Sequence, residues 1–142
     1  MSIPFGVHIP FVANLGFTLE KFENGTSELH YSPRPEHHNS FDITHGGAVM
    51  TLLDVVMATA ARSVEQDMGV VTIEMKTSFM RPAKTTGNEH LVAKGLLLHR
   101  TQTMAFTDGK VFDAAGQLCA HATGTFKYVK RTPSVTSPIS TD

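Results

Sequence analysis

The sequence predicts an α+β fold in which an antiparallel sheet curls around one long buried helix. Three observations carry this. Between residues 48 and 61 apolar side chains recur at helical steps and leave almost no polar face. After Gly69 the chain turns to runs rich in Val, Thr, Phe and Leu, and ahead of the helix Asn24-Gly25 joins two shorter strand-like runs. At 142 residues the chain is long enough to bury a real core and short for two, so a single domain is expected over residues 1–130.

Taken in order, residues 3–15 are apolar but broken by Pro4, Gly6 and Pro10, and read as a short helix or an irregular cover. In "FTLEKFENGTSELHYS", Phe17, Leu19 and Lys21 alternate with polar neighbours, Asn24-Gly25 is a two-residue turn signal, and residues 27–31 resume as strand: a hairpin. Residues 33–44 hold two prolines, His37, His38, Asn39 and Asp42, which is loop composition. The helix follows, with Val49, Leu52, Leu53, Val56, Met57 and Ala60 at steps of three and four. "VVTIEMKTSFM", "EHLVAKGLLLHRT", "TMAFTDGKVFD" and "QLCAHATGTFKYV" are then four consecutive strands, expected as a meander that the earlier hairpin joins. Residues 131–142, "RTPSVTSPISTD", have little to bury and are expected to be a disordered tail.

Composition excludes more than it assigns. A formal charge of −1 gives no general basis for binding nucleic acid or an acidic membrane. No apolar run approaches a membrane span and no positive region precedes the apolar start, so a soluble cytoplasmic protein is expected. Cys119 is the lone cysteine and reads as an inert, buried strand residue. Eight histidines invite a metal, yet His37, His38, Asp42 and His45 match no zinc spacing, and no metal site is expected. Phosphate-binding glycine loops are absent.

The start of the helix carries the chemistry. In "THGGAVMTLLDVV", two poor helix formers, Gly46 and Gly47, sit where backbone N–H groups lack intrahelical partners, and Asp54 interrupts the apolar pattern. A helix N-terminus stabilises an oxyanion if the backbone can come close, and glycine permits that approach. A buried carboxylate is either hydrogen-bonded structurally or used as a base or nucleophile. Gly46 and Asp54 are eight residues apart, about 12 Å of helical rise. An oxyanion donor and a water-activating acid must both lie within about 3 to 4 Å of one reacting carbon. One copy of the helix cannot do both jobs, so an enzyme reading requires a homodimer with two antiparallel copies.

At these residues the chain resembles the hotdog-fold acyl-CoA thioesterases of the phenylacetate-degradation (PaaI-like) type, within the 4-hydroxybenzoyl-CoA thioesterase superfamily. The resemblance spans about residues 14–129 and rests on an ordered set: Asn39, then His45-Gly46-Gly47, Asp54, Thr72 and "SFMRPA" at 78–83. It implies a hotdog fold in which Asn39 and the Gly46 N–H polarise a thioester carbonyl. Asp54 of the partner chain then activates water or attacks directly, and Thr72 helps hold water and acid. His45 is implied to position the oxyanion loop. Gly47 and Phe79 are candidates for the substrate arm, and Arg81, Lys84, Arg100 and Lys127 for the phosphates of coenzyme A. No cofactor is implied beyond the coenzyme A of the substrate, and a homotetramer is the expected assembly. Aromatic or short-to-medium acyl-CoA is the implied substrate. Two other readings stay open: an acyl-thioester dehydratase or hydratase, and a non-catalytic acyl-CoA binding module.

Overall fold

A computed structural model describes residues 2–131. Its elements are α1 (Pro10–Leu15), β1 (Thr18–Glu23), β2 (Thr26–Tyr31), α2 (Gly46–Arg62), β3 (Met68–Phe79), β4 (Leu91–Arg100), β5 (Met104–Phe112) and β6 (Leu118–Lys130), with a single 3-10 turn at Pro35–His37. The strands form one antiparallel six-stranded sheet in the order β1-β2-β4-β5-β6-β3. Asn24 and Gly25 both take positive φ (51° and 79°), the mirror-image turn that matches strand twist. The expected tail lies outside the described residues apart from Arg131.

The meander is shorter than the strand count suggested. Of the four strands after α2 only β4, β5 and β6 run as neighbours in sequence order, and β3 lies at the sheet edge beyond β6. Residues 80–90, which join β3 to β4, are too many for a tight hairpin. They begin along β6, where the Met80 and Arg81 N–H groups donate to the Cys119 carbonyl (2.9 and 3.2 Å). They then pass under the loop before α2, where Thr44 N–H donates to the Ala83 carbonyl (3.3 Å).

Small residues let α2 sit close to the sheet. Gly95 is paired with Gly109 across β4 and β5, and a Cβ at Gly95 would fall well inside contact distance of the Val56 carbonyl oxygen and Ser27 Oγ. At Gly109 and Gly124 it would meet Met57 at 2.9 and 3.0 Å. The Ser27 hydroxyl donates to the Val56 carbonyl at 2.5 Å, and Tyr128 donates to that of Ala61 at 2.7 Å, so sheet side chains tie the helix down. Val49, Leu52, Leu53, Val56, Met57, Ala60 and Ala61 are accordingly buried.

The helix is not wrapped all round, however. Met50 is exposed, and Thr51, Asp54, Val55 and Ala58 are only half-buried. The sheet covers one side of α2 and ends at β3, and a gap remains between β3 and the N-terminal residues 6–9.

The close approach at Gly95 makes a specific demand. Gly95→Ala must displace helix or strand backbone and is expected to lose about 1–3 kcal/mol of stability, measured by urea unfolding, or to prevent folding. Wild-type stability in this variant would contradict the packing described.

Candidate active site

The loop into α2 is built on a buried polar support. Tyr31 is buried on β2, burial pushes its hydroxyl up to about 12, and it donates to His37 Nδ1 at 2.8 Å. The Arg34 N–H donates to the same nitrogen at 3.1 Å. Burial is the first cause holding His37 below the ordinary imidazole range, which suits an acceptor at Nδ1. The His37 carbonyl takes the His45 N–H at 2.9 Å, so this support fixes where the helix starts.

At that start nearly every donor is spoken for. His45 is the N-cap, and its ring Nδ1 accepts the Gly47 N–H at 2.8 Å. The Ala48 and Val49 N–H groups reach the His45 carbonyl at 2.9 and 3.2 Å. Gly46 N–H has no partner among the described residues. The two glycines therefore serve different ends. A Cβ at Gly47 would press on the His45 ring (3.1 Å to Nδ1), so glycine there admits the cap. A Cβ at Gly46 would meet only the Phe79 ring, at an ordinary contact distance of 3.7 Å, and the free amide there borders a cleft.

That cleft has a volume of about 400 Å³, and Asn39, Gly46, Phe79 and Arg81 all line it. Asn39 Oδ1 accepts from the Phe41 and Ile43 N–H groups (2.8 and 3.3 Å), which leaves the Nδ2 hydrogens as the atoms it can offer. Two donors, one from backbone and one from an amide, thus share one concave site.

Asp54 lies elsewhere. Its Oδ1 accepts from the Thr72 hydroxyl at 2.7 Å, and it opens on the uncovered side of α2 into cavities that do not include Asn39 or Gly46. Burial, the larger effect, raises its pKa, while the Thr72 bond lowers it. Thr72 reaches the acid because the strand slips register between Thr72 and Glu74, so that Thr72 and Met75 both face the helix across an extra Ile73.

Of the cations considered for phosphate, Arg81 is at the cleft and its Nη1 donates to the Leu118 carbonyl (3.0 Å). Lys84 is exposed on the β3–β4 link, and Lys127 projects from the outer face of β6. Arg100 is clamped by Glu65 (3.2 Å) and stacked 4.3 Å over the Tyr128 ring. Met80, within the "SFMRPA" run, lines the cleft too, as do Val49 and Cys119, which carried no sign of it in the sequence beyond apolar pattern. Burial raises the Cys119 thiol pKa, in keeping with an inert residue. Residues 6–9, expected only as part of a short helix or an irregular cover, and Arg62 share a cavity with Asp54 that no pattern in the sequence signals.

A six-stranded antiparallel sheet closed over one long helix is the hotdog architecture. The chain matches the thioesterase superfamily model over residues 41–120, and so belongs to that superfamily and is a thioester hydrolase. It is 33% identical to human acyl-coenzyme A thioesterase 13 over 86 residues, 60% of each chain. Among solved structures, a Pseudomonas aeruginosa protein superposes with a TM-score of 0.81 at 22% identity, covering 87% of this chain and 97% of that one. The Escherichia coli PaaI protein of the phenylacetic acid degradation operon gives 0.77 at 20%, covering 86% of each.

The environment of Asp54 sets a pH dependence of stability. Its folded-state pKa is raised, so the fold is favoured with the acid protonated, and that advantage is lost as pH rises through the raised value. Asp54→Asn cannot ionise and is expected to melt above wild type at pH 7, the gap closing below about pH 4. Scanning calorimetry across this range checks it, and equal melting temperatures at pH 7 would contradict a desolvated carboxylate.

Proposed function

We propose that the protein hydrolyses aromatic or short-to-medium acyl-CoA thioesters at sites formed between two copies of the chain. The observation that carries this is a separation. The free Gly46 amide and the Asn39 donor face one cleft, while the desolvated acid faces another, eight residues along the same helix. A second, antiparallel copy lying across the open side of α2 brings Asp54 of each to the cleft of the other.

Support for the pairing comes from the surface. Among the described residues β3 pairs only with β6, which leaves its other edge open, and Val71, Ile73, Phe79, Phe11 and Met50 are exposed around the gap beside it. Leu96, Leu98 and Phe106, exposed on the opposite face of the sheet, favour a dimer of such dimers.

In the paired site the thioester oxygen accepts from Gly46 N–H and Asn39 Nδ2. Asp54 of the second copy takes a proton from water as the water oxygen bonds to the carbonyl carbon, and its raised pKa makes it a stronger base than an exposed carboxylate. The two donors hold the tetrahedral oxyanion, which collapses with loss of the coenzyme A thiolate. A thiolate leaves without a strong general acid, so the small set of groups suffices. Thr72 orients the acid, His45 holds the helix start, and Arg81 at the cleft margin is the cation best placed for a phosphate. No cofactor is required, because coenzyme A arrives with the substrate.

The test is thiol release across a panel of acyl-CoAs. Wild type is expected to release one thiol per acid formed, and Asp54→Asn to lose about 10²- to 10⁴-fold in kcat. Thiol release from no thioester tried, or conversion of enoyl-CoA without free thiol, would overturn the reading. A binding module would bind without turnover and be indifferent to Asp54→Asn beyond affinity.

A further inference from the structure

The larger cavity at Asp54, about 850 Å³, extends along the open side of α2 as far as Arg62. Val55, Ala58 and Thr59 form its floor, and residues 6–9 and the start of β3 wall it. Arg62 is an unusual residue to find at its end. It is only 8% exposed, its Nε has no hydrogen-bond partner, and no carboxylate pairs with it among the described residues.

Structural duties explain part of this. The guanidinium lies 5.5 Å over the Phe22 ring, Nη2 donates to the Phe5 carbonyl at a long 3.4 Å, and a cation suits the last turn of a helix. They do not explain the vacant Nε or the company the group keeps. Lys130 and Arg131 line the same cavity, and Arg131 adds its repulsion to the burial that already disfavours the Arg62 charge. A buried guanidinium without a counter-ion is costly, and the three cations that line this cavity repel, while its one acid, Asp54, stands about 12 Å of helical rise away. Both costs are relieved by an anion that enters from the cavity.

We infer that Arg62 receives the terminal carboxylate of an acyl chain whose thioester carbon lies beside Asp54, so that the preferred substrates are monothioesters of dicarboxylic acids. This rests on the thioesterase reading and adds a substrate class to it. Asp54 and Arg62 are separated by about 12 Å of helical rise, and helical side chains lean back toward the N-terminus, so a chain of medium length spans them. The narrow floor of small side chains admits such a chain. The planar fork of Arg62 suits a carboxylate at its far end.

The same anion chemistry is offered by the phosphates of coenzyme A, and the experiment separates the two. Hydrolysis of the suberoyl thioester is compared with that of its methyl ester and of the octanoyl thioester, each as the coenzyme A form and as the phosphate-free N-acetylcysteamine form. Wild type is expected to favour the free carboxylate by about tenfold or more in kcat/KM on both carriers. Arg62→Met brings the ratio near one, and Arg62→Lys keeps part of it, whereas a purely structural arginine would lower the melting temperature and leave the ratio alone. Equal rates for acid and ester in wild type would overturn the inference. So would an Arg62 effect confined to the coenzyme A carrier, which would assign the anion to a phosphate. Suberate and octanoate are also compared for thermal protection. Arg62-dependent protection by suberate with no thioester cleaved would leave the anion site standing and remove the thioesterase reading. Cleavage without carboxylate preference would do the reverse.

Discussion

The rise of one α-helix governs the rest of this molecule. Among the described residues the one unpartnered amide at the start of α2 belongs to Gly46, the acid on the same helix is Asp54, and eight residues of helix hold them about 12 Å apart. No rotation of a side chain closes that distance. The fold instead leaves both groups accessible, one in a cleft shaped by Asn39 and Phe79, the other beside Thr72 on the side of the helix the sheet does not cover. In the function proposed above, each chain holds two halves of a site and a two-fold axis makes two wholes.

The sheet serves this arrangement by what it lacks as well as by what it provides. Gly95, Gly109 and Gly124 let the buried face of α2 settle against the strands, and Ser27 and Tyr128 fix it there through helix carbonyls. That anchoring is one-sided. The opposite face keeps Asp54 desolvated enough to raise its pKa yet leaves it bordering an open cavity. The register slip in β3 belongs to the same design, since it aims Thr72 at the acid. The buried Tyr31–His37 pair sets the loop so that His45 caps Gly47 and spares Gly46.

Much of this was legible in the sequence where periodicity or turn chemistry speaks. The apolar helix, the Asn24-Gly25 hairpin and the strands after Gly69 are found where pattern placed them. The place of β3 was not, because a pattern of strands does not say which neighbour a long link will choose. The half-open side of α2 was hidden too, since an apolar residue facing a gap reads the same as one facing the core. Asn39, Gly46, Phe79 and Arg81 do share one cleft, and Asp54 does touch Thr72, but the sequence offered no means of seeing that Arg100 is already held by Glu65 and Tyr128. Arg62 escaped notice because an arginine near a helix end is ordinary. Only its burial and its vacant Nε make it a question.

Whether two chains build each site is tested most directly by mixing two damaged ones. Asp54→Asn and Gly46→Val, each inactive alone, are refolded together in equal amounts. In a mixed dimer one site inherits both defects and the other inherits neither, so random pairing restores about a quarter of wild-type thiol release. A mixture that stays at the background of its parents, with mixed dimers shown to be present, would mean that acid and amide never meet across two chains.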